Sequence, residues 1–361
     1  MEENDGCSVD HDMFCVLPWT HVSVSVDGVW GRCCFDNTND YDHYYQQATR
    51  PQLTLLPNSI GCIPGSDFAA DNPDRVYTAS DVLDSPGMRI TRAEMLKGAR
   101  PKACEHCYWV ESLSAISHRQ SMNSFFTTKV DVQELVDATG PAGELDRRPL
   151  SIDLRLGNTC GLTCIMCSFP TSSGFGPSLK PKWTSSHIDP FRGNDEFWND
   201  LHTVSGIKYI YFAGGEPFLQ RSHLPFLDRL IEEGRASDIE LHYNSNLMQV
   251  PDAYLDRFNY FKKVVIAASC DGVGATFERI RRGAKWETLF AMSKPRQTTS
   301  KCGLTSRCSW TTSWNSAQSS TWPKTKVSVP ASRTSHITPA NFRYSLSHPI
   351  SVPKRNVMCP V

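Results

Sequence analysis

The chain has 361 residues, a formal net charge of −1 and 14 cysteines. That length holds about two domains able to bury their own cores, and near-neutrality argues against a general polyanion binder and gives no specific nucleic-acid signal. No apolar run reaches the roughly 18–20 residues of a membrane span, and the start MEENDGCSVD lacks the basic-then-apolar pattern of a secretory leader.

The expectation is therefore a soluble cytoplasmic protein, where cysteines bind metal or react more often than they pair. In chain order, residues 1–149 open with THVSVSV, an alternating strand, then the hairpin signal DG and a returning strand VWGRCC. A helix is predicted around Met88–Leu96, stopped by Gly98 and Pro101, and CEHC follows at once. Residues 37–80 carry no readable period.

From residue 150 the pattern changes. LSIDLRLGN, IKYIYFAGGEPF, DIELHYNSN and KKVVIAASCDG read as strands. NDEFWNDLHTV, RSHLPFLDRLIEEG, PDAYLDRFNYF and ATFERIRRGAKWETLF read as the helices between and after them, and Ser168–Ser186 reads as loop. Alternating strand and helix predict βα units on a parallel sheet. Polar or glycine motifs end each strand, at the edge where parallel βα barrels build their sites.

Residues 291–361 differ abruptly. From residue 289 on there are ten Lys and Arg and no Asp or Glu, so the preceding residues hold 27 bases against 38 acids. Helical and strand periods vanish together. This predicts a frame shift near Ala291–Lys294 that makes the basic Ser/Thr/Pro-rich tail an out-of-frame product. Neither alternative frame of the gene yielding apolar strands and acidic residues after codon 290 would overturn it.

Two cysteine groups carry the candidate chemistry. Cys160, Cys164 and Cys167 are spaced C-x3-C-x2-C after a strand. Three thiolates can hold three irons of a [4Fe–4S] cube and leave the fourth open, whereas structural zinc takes a closed set of four ligands. No further Cys or His follows before His187, so a zinc knuckle here needs a remote ligand. Cys15 and Cys33 bracket the hairpin as C-x12-G-x4-C, with Gly28 as the glycine, and Cys104 and Cys107 form C-x2-C. Four such thiolates suit an iron–sulfur cluster or zinc alike. Cys34 points to the other face if the strand continues and is a reserve ligand. Cys7, Cys62 and Cys270 have no partner pattern and are expected buried or free; Cys302, Cys308 and Cys359 in the tail receive no role.

The cysteine loop after the first strand of a βα repeat resembles the radical S-adenosylmethionine (SAM) superfamily. AGGEPF, with Gly214, Gly215, Glu216 and Pro217, is similar to that family's GGEP motif, whose backbone meets the SAM amino group; paired glycines permit such an approach. Asn244 and Asn246 of NSN stand where relatives contact the ribose. Ser269 and Asp271 match the family's Ser-x-Asp-Gly, and RIRRG offers Arg281 or Arg282, where relatives hold the SAM carboxylate. One departure is Met166, at a position usually aromatic; its thioether can pack against an aromatic ring.

The resemblance spans about Leu150–Phe290. It implies an α/β fold: a partial (β/α) barrel, with four of six units legible, preceded by a small α+β module. That module resembles the twitch domain, the shorter relative of the SPASM domain, although such modules more often follow the barrel. Cys15, Cys33, Cys104 and Cys107 would then hold an auxiliary [4Fe–4S] cluster. The implied reaction is one-electron reductive cleavage of SAM to a 5′-deoxyadenosyl radical that takes hydrogen from a substrate. The implied partners are SAM, a flavodoxin- or ferredoxin-like electron donor, and a substrate of unknown identity, a peptide or protein by analogy. A non-catalytic iron–sulfur or zinc protein and an inactive truncated product are the competing readings.

Overall fold

The expected hairpin forms: β1 (His21–Val24) runs antiparallel to β2 (Val29–Gly31), with Val24 opposite Trp30 and Asp27-Gly28 at the turn. A two-residue strand β3 (Gly61–Cys62) adds to β2. The computed structural model describes residues 12–36, 55, 59–178, 187–292 and 308–313. Cys7, Cys302 and Cys359 lie outside them. Contacts group the chain into Met1–Ser328 and Val329–Val361, and the second unit also lies outside the described residues.

A short helix α1 (Leu17–Thr20) leads into β1. Four helices follow the hairpin: α2 (Pro86–Leu96), α3 (Glu105–Ser112), α4 (His118–Phe126) and α5 (Val132–Asp137). Proline in the first turn starts α2, where its missing N–H costs nothing. A capping box starts α4: the Ser117 hydroxyl accepts from Gln120 N at 3.1 Å, and the Gln120 side chain accepts from Ser117 N. Ser117 also donates to Glu111 at 2.5 Å. Ser117→Ala removes both bonds in a buried place and should cost about 1–2 kcal/mol, read as a lowered urea midpoint with unchanged slope.

The βα run then reads as the sequence predicts: β4 (Ser151–Arg155), α6 (Asp195–Thr203), β5 (Tyr209–Ala213), α7 (His223–Glu232), β6 (Glu240–Ser245), α8 (Asp252–Phe258) and β7 (Lys263–Ser269). Two expectations fail. ATFERIRRGAKWETLF forms two helices instead of one, α9 (Ala275–Ile280) and α10 (Trp286–Met292). Arg281 leaves the helical region (φ −101°, ψ 74°) and Gly283 takes φ 95°, which ends the ladder. The tail, read as having no strand period, supplies β8 (Cys308–Ser313), parallel to β7 with Val264 opposite Cys308. The edge of β7 offers unpaired backbone groups, and pairing to them needs no side-chain pattern.

All eight strands lie in one sheet, in the order β3-β2-β1-β4-β5-β6-β7-β8. From β1 to β8 every neighbour except β2 and β3 is parallel. Parallel strands that follow one another in sequence order wind in one direction, as in an arc of a barrel, and show none of the reversal of a doubly wound sheet. The segments 1–149 and 150–290 share this sheet, since His21 of β1 pairs with Ser151 of β4. They also share a core: Trp19, Val22 and Val24 belong to one buried cluster with Ile152, Leu154, Ile210, Phe212, Leu241 and Ile266. The division near residue 149 marks where the cysteine groups part, with the sheet continuous across it.

Along β5 and β6 burial alternates strictly. One face, with Ile210, Phe212, Leu241 and Tyr243, is wholly buried; the other, with Tyr211, Ala213, His242 and Asn244, is half-buried and more polar. No described helix is long and apolar enough to cross a membrane.

Candidate functional site

The Cys160–Cys167 loop leaves the C-terminal end of β4 and is tied down on two sides. On one side, Gly215 N donates to Gly157 O (3.0 Å), Glu216 N to Thr159 O (2.8 Å) and the Gln220 amide to Thr159 O (2.9 Å). On the other, Thr163 N donates to Arg282 O (3.0 Å) and Ile165 N to Ile280 O (2.9 Å). The GGEP turn after β5 and the RIRRG turn after α9 thus both grip the loop. Gly214 takes φ 109°, and a Cβ on Gly215 would lie 2.4 Å from Thr159 O and 2.6 Å from Asn158 C. Only glycine allows backbones so close.

The Glu216 carboxylate is 2 % exposed and faces the end of β6. It accepts from the Ser245 hydroxyl (2.7 Å), from Asn246 N (2.8 Å) and, at 3.5 Å, from Phe218 N. It therefore welds the GGEP turn to the NSN turn. Pro217 begins the short 3₁₀ turn that follows. The Asn246 side chain caps Met248 N at 2.9 Å and reaches Cys160 Sγ at 3.8 Å. Leu247, next in the chain, is held at φ 55°, an uncommon value for a branched residue. Asn244 stands one level below, on the half-buried face of β6, and Ser269 ends β7.

Burial pushes the proton affinity of Glu216 up to about 7, from a starting value of 4.5, despite its three donors. A carboxylate raised on folding contributes stability in full below pH 4.5, and that contribution is lost as pH rises through about 7. The loss amounts to about 3 kcal/mol. Denaturant midpoints of the native chain should fall against those of Glu216→Gln between pH 5 and 8; parallel curves would refute this.

Among the three thiols, Cys164 is buried and its neighbours are half-buried. A hydrogen bond between Cys164 and Cys167 raises the proton affinity of the first and lowers that of the second. Desolvation raises that of Cys160. Arg281 draws the Cys164–Cys167 pair towards the thiolate state. Its Nε lies 2.6 Å from Asp271 Oδ2, too misaligned for a hydrogen bond, and both buried atoms are left without a hydrogen-bond partner. Met166 is half-buried beside the loop.

The second group sits at the opposite edge of the sheet. β2 runs back along β1, so Cys33 and Cys34 emerge at the N-terminal ends of the parallel strands, where Cys15 also lies, before α1. The length of β4 alone puts about 16 Å between this edge and the first group. Side chains of α3 and α4 hold the Cys15 segment: Tyr108 donates to Met13 O (2.8 Å), Arg119 to Phe14 O (2.6 Å) and Asn123 to Phe14 O (2.8 Å), while Asn123 Oδ1 accepts from Val16 N (2.9 Å). Buried Arg32 fixes the Cys33 turn through Asp36 (2.8 Å) and Thr91 (2.7 Å). Burial raises the proton affinity of Cys15, Cys33, Cys104 and Cys107, and the thiols raise one another. Cys34, the reserve ligand, turns to the polar sheet face, with its sulfur 3.6 Å from His118 Nε2.

Cys62 is buried in β3, and Cys270 is buried with its thiol donating to Gly272 O at 3.1 Å, as expected of unpaired cysteines. Among the described residues, no three Cys, His, Asp or Glu side chains converge at metal-binding geometry. The thiols of the Cys160–Cys167 loop nevertheless fit a soft metal in chemical type, and Arg281 beside them favours their thiolate form. Sequence reasoning missed Ser245 and Ser173, whose hydroxyls brace Glu216 and Cys160 N (3.2 Å), because lone serines carry no spacing signal.

No protein-family model and no curated protein matches the chain. Among solved structures it is similar to Streptococcus suis SuiB bound to S-adenosylmethionine, at 13 % identity and a TM-score of 0.31. The match covers 58 % of this chain and 43 % of that one, so the chain spans less than half of that protein, and the functional reading rests on its own residues.

Proposed function

We propose that the chain is a radical SAM enzyme in which Cys160, Cys164 and Cys167 hold a [4Fe–4S] cluster with one open iron. One observation carries this reading: the cysteine loop is hydrogen-bonded to both the GGEP and the RIRRG turns, so four motifs remote in sequence close on one place at the strand ends. When bound, the cluster supplies the electron that opens the 5′ carbon–sulfur bond of SAM.

The protein's own residues bind and orient. The Gly215 and Glu216 N–H groups already serve the cysteine loop, so the carbonyls of this turn are the groups to receive the SAM amine. Arg281 takes the carboxylate, exchanging its misaligned contact with Asp271 for an aligned one. Asn244, Asn246 and Ser269 face the ribose, and Met166 packs on the adenine. Glu216 keeps the turn in place through Ser245 and Asn246. Cys15, Cys33, Cys104 and Cys107 hold an auxiliary [4Fe–4S] cluster at the other edge. An electron donor of flavodoxin or ferredoxin type supplies the reducing equivalent. Ten of the described cysteines are free thiols, which suits a reducing cytoplasm.

Anaerobic reconstitution with iron and sulfide, then dithionite and SAM, tests the reading. The expected product is 5′-deoxyadenosine. A fully loaded protein that leaves SAM intact, or one that takes up only zinc, would sink it in favour of a non-catalytic metal protein.

A further inference from the structure

We propose that the polar face of the sheet, between the two cysteine groups, is a substrate pocket in which Asp153 receives an aliphatic primary amine. The inference rests on the preceding reading for what happens to the bound amine. The binding itself needs no cluster.

Strand register defines the pocket. Across the face, Ser23, Asp153, Tyr211 and His242 occupy one level on four neighbouring strands. The level below holds His21, Ser151, Tyr209 and Glu240. It is closed: His21 Nδ1 lies 2.6 Å from the Ser151 hydroxyl, and Phe125 and Phe126 of α4 pack edge-on against Tyr209. The level above holds Arg155, Ala213, Asn244 and Ala267. Two of its four residues are alanines, the smallest side chains on this face, and Ala213 and Asn244 are half-buried, so this end is the more exposed one. The pocket therefore opens towards the strand ends that carry the Cys160 loop.

Asp153 is 3 % exposed, yet its Oδ1 has no hydrogen-bond partner. Its Oδ2 receives a single long contact, 3.4 Å from Arg155 Nη2. His242 Nε2 on the same level makes no hydrogen bond but lies 3.7 Å from Glu240 Oε2. A buried carboxylate oxygen without a donor is an unfavourable state that native folds rarely keep except at functional places. The Asp153 orphan is an acceptor, so the missing group is a donor, and a desolvated carboxylate favours a cationic one. The level of Asp153 lies two residues, about 7 Å, below the end of β4. An amine bound there leaves a chain of a few carbons rising to the site above, with Tyr211 and the Arg155 stem as walls.

The test uses the full chain without added metal and ligand-observed NMR titration with two probes, pentylamine and 1-pentanol. The amine should bind at least tenfold more tightly than the alcohol, and Asp153→Asn should abolish the difference. Equal affinity for the two probes, no binding of either, or undiminished preference in Asp153→Asn overturns the proposal. The probe comparison on the native chain decides even if the variant fails to fold. Failure of SAM cleavage alongside a retained amine preference would count against the radical SAM reading alone.

Discussion

Cys164→Ala is expected to abolish SAM cleavage, with a fall on the order of a thousandfold or more, to background. The proposed cluster needs three thiolates, and Cys164 is the buried one of the three. Two sulfurs cannot hold three irons. Cys164→Ser keeps the volume and should fail equally, which separates ligation from packing. Both variants should retain the iron proposed for Cys15, Cys33, Cys104 and Cys107, because the two groups leave opposite edges of the sheet. Conversely, Cys15→Ala should lose that iron and keep the charge-transfer absorption of the first cluster. Iron and sulfide content per chain, measured after anaerobic reconstitution, checks both statements. Full SAM cleavage by Cys164→Ala would remove the loop from the reaction centre.

Gly215→Ala should be the most damaging change that touches no ligand. The added methyl would meet three backbone atoms, Thr159 O at 2.4 Å, Asn158 C at 2.6 Å and Asn158 O at 2.7 Å. Backbone atoms cannot step aside as a flexible side chain can. The strand must move, and with it the bonds from Gly215 N to Gly157 O and from Glu216 N to Thr159 O. Overpacking of this kind costs about 3 kcal/mol, with two strained hydrogen bonds in addition. The expected outcome is a thermal midpoint several degrees lower, together with loss of SAM cleavage. Gly193→Ala serves as the control, since its Cβ meets nothing within 4 Å although its φ of 68° carries its own modest strain. A Gly215→Ala protein as stable as the control would show that the loop can yield.

Glu216 illustrates where motif reading needs the fold. The residue stands out in the GGEP motif, and its place in the turn after β5 was legible. Its carboxylate turns towards Ser245 and Asn246, so it ties the GGEP turn to the NSN turn. Arg281 was legible as a cation after the fourth strand of the run, but its misaligned pairing with Asp271 was not, because that depends on where the chain leaves α9. The split between α9 and α10 was equally hidden: the residues around Gly283 have helical spacing, and the break follows from the positive φ that this glycine adopts.

Short-range periodicity by itself determined the hairpin, α2, the four βα units and the position of Cys160, Cys164 and Cys167 after a strand. These depend on side-chain alternation and helical spacing within about a dozen residues, which the chain carries locally. Only the tertiary structure decided that β1 joins β4, that β8 pairs with β7, and that the two cysteine groups lie at opposite edges of one sheet. It alone also set Asp153, Tyr211 and His242 side by side. Strand neighbours and register are fixed by burial of one apolar face and by backbone hydrogen bonding between segments far apart in the chain. Those terms have no signature within any one segment.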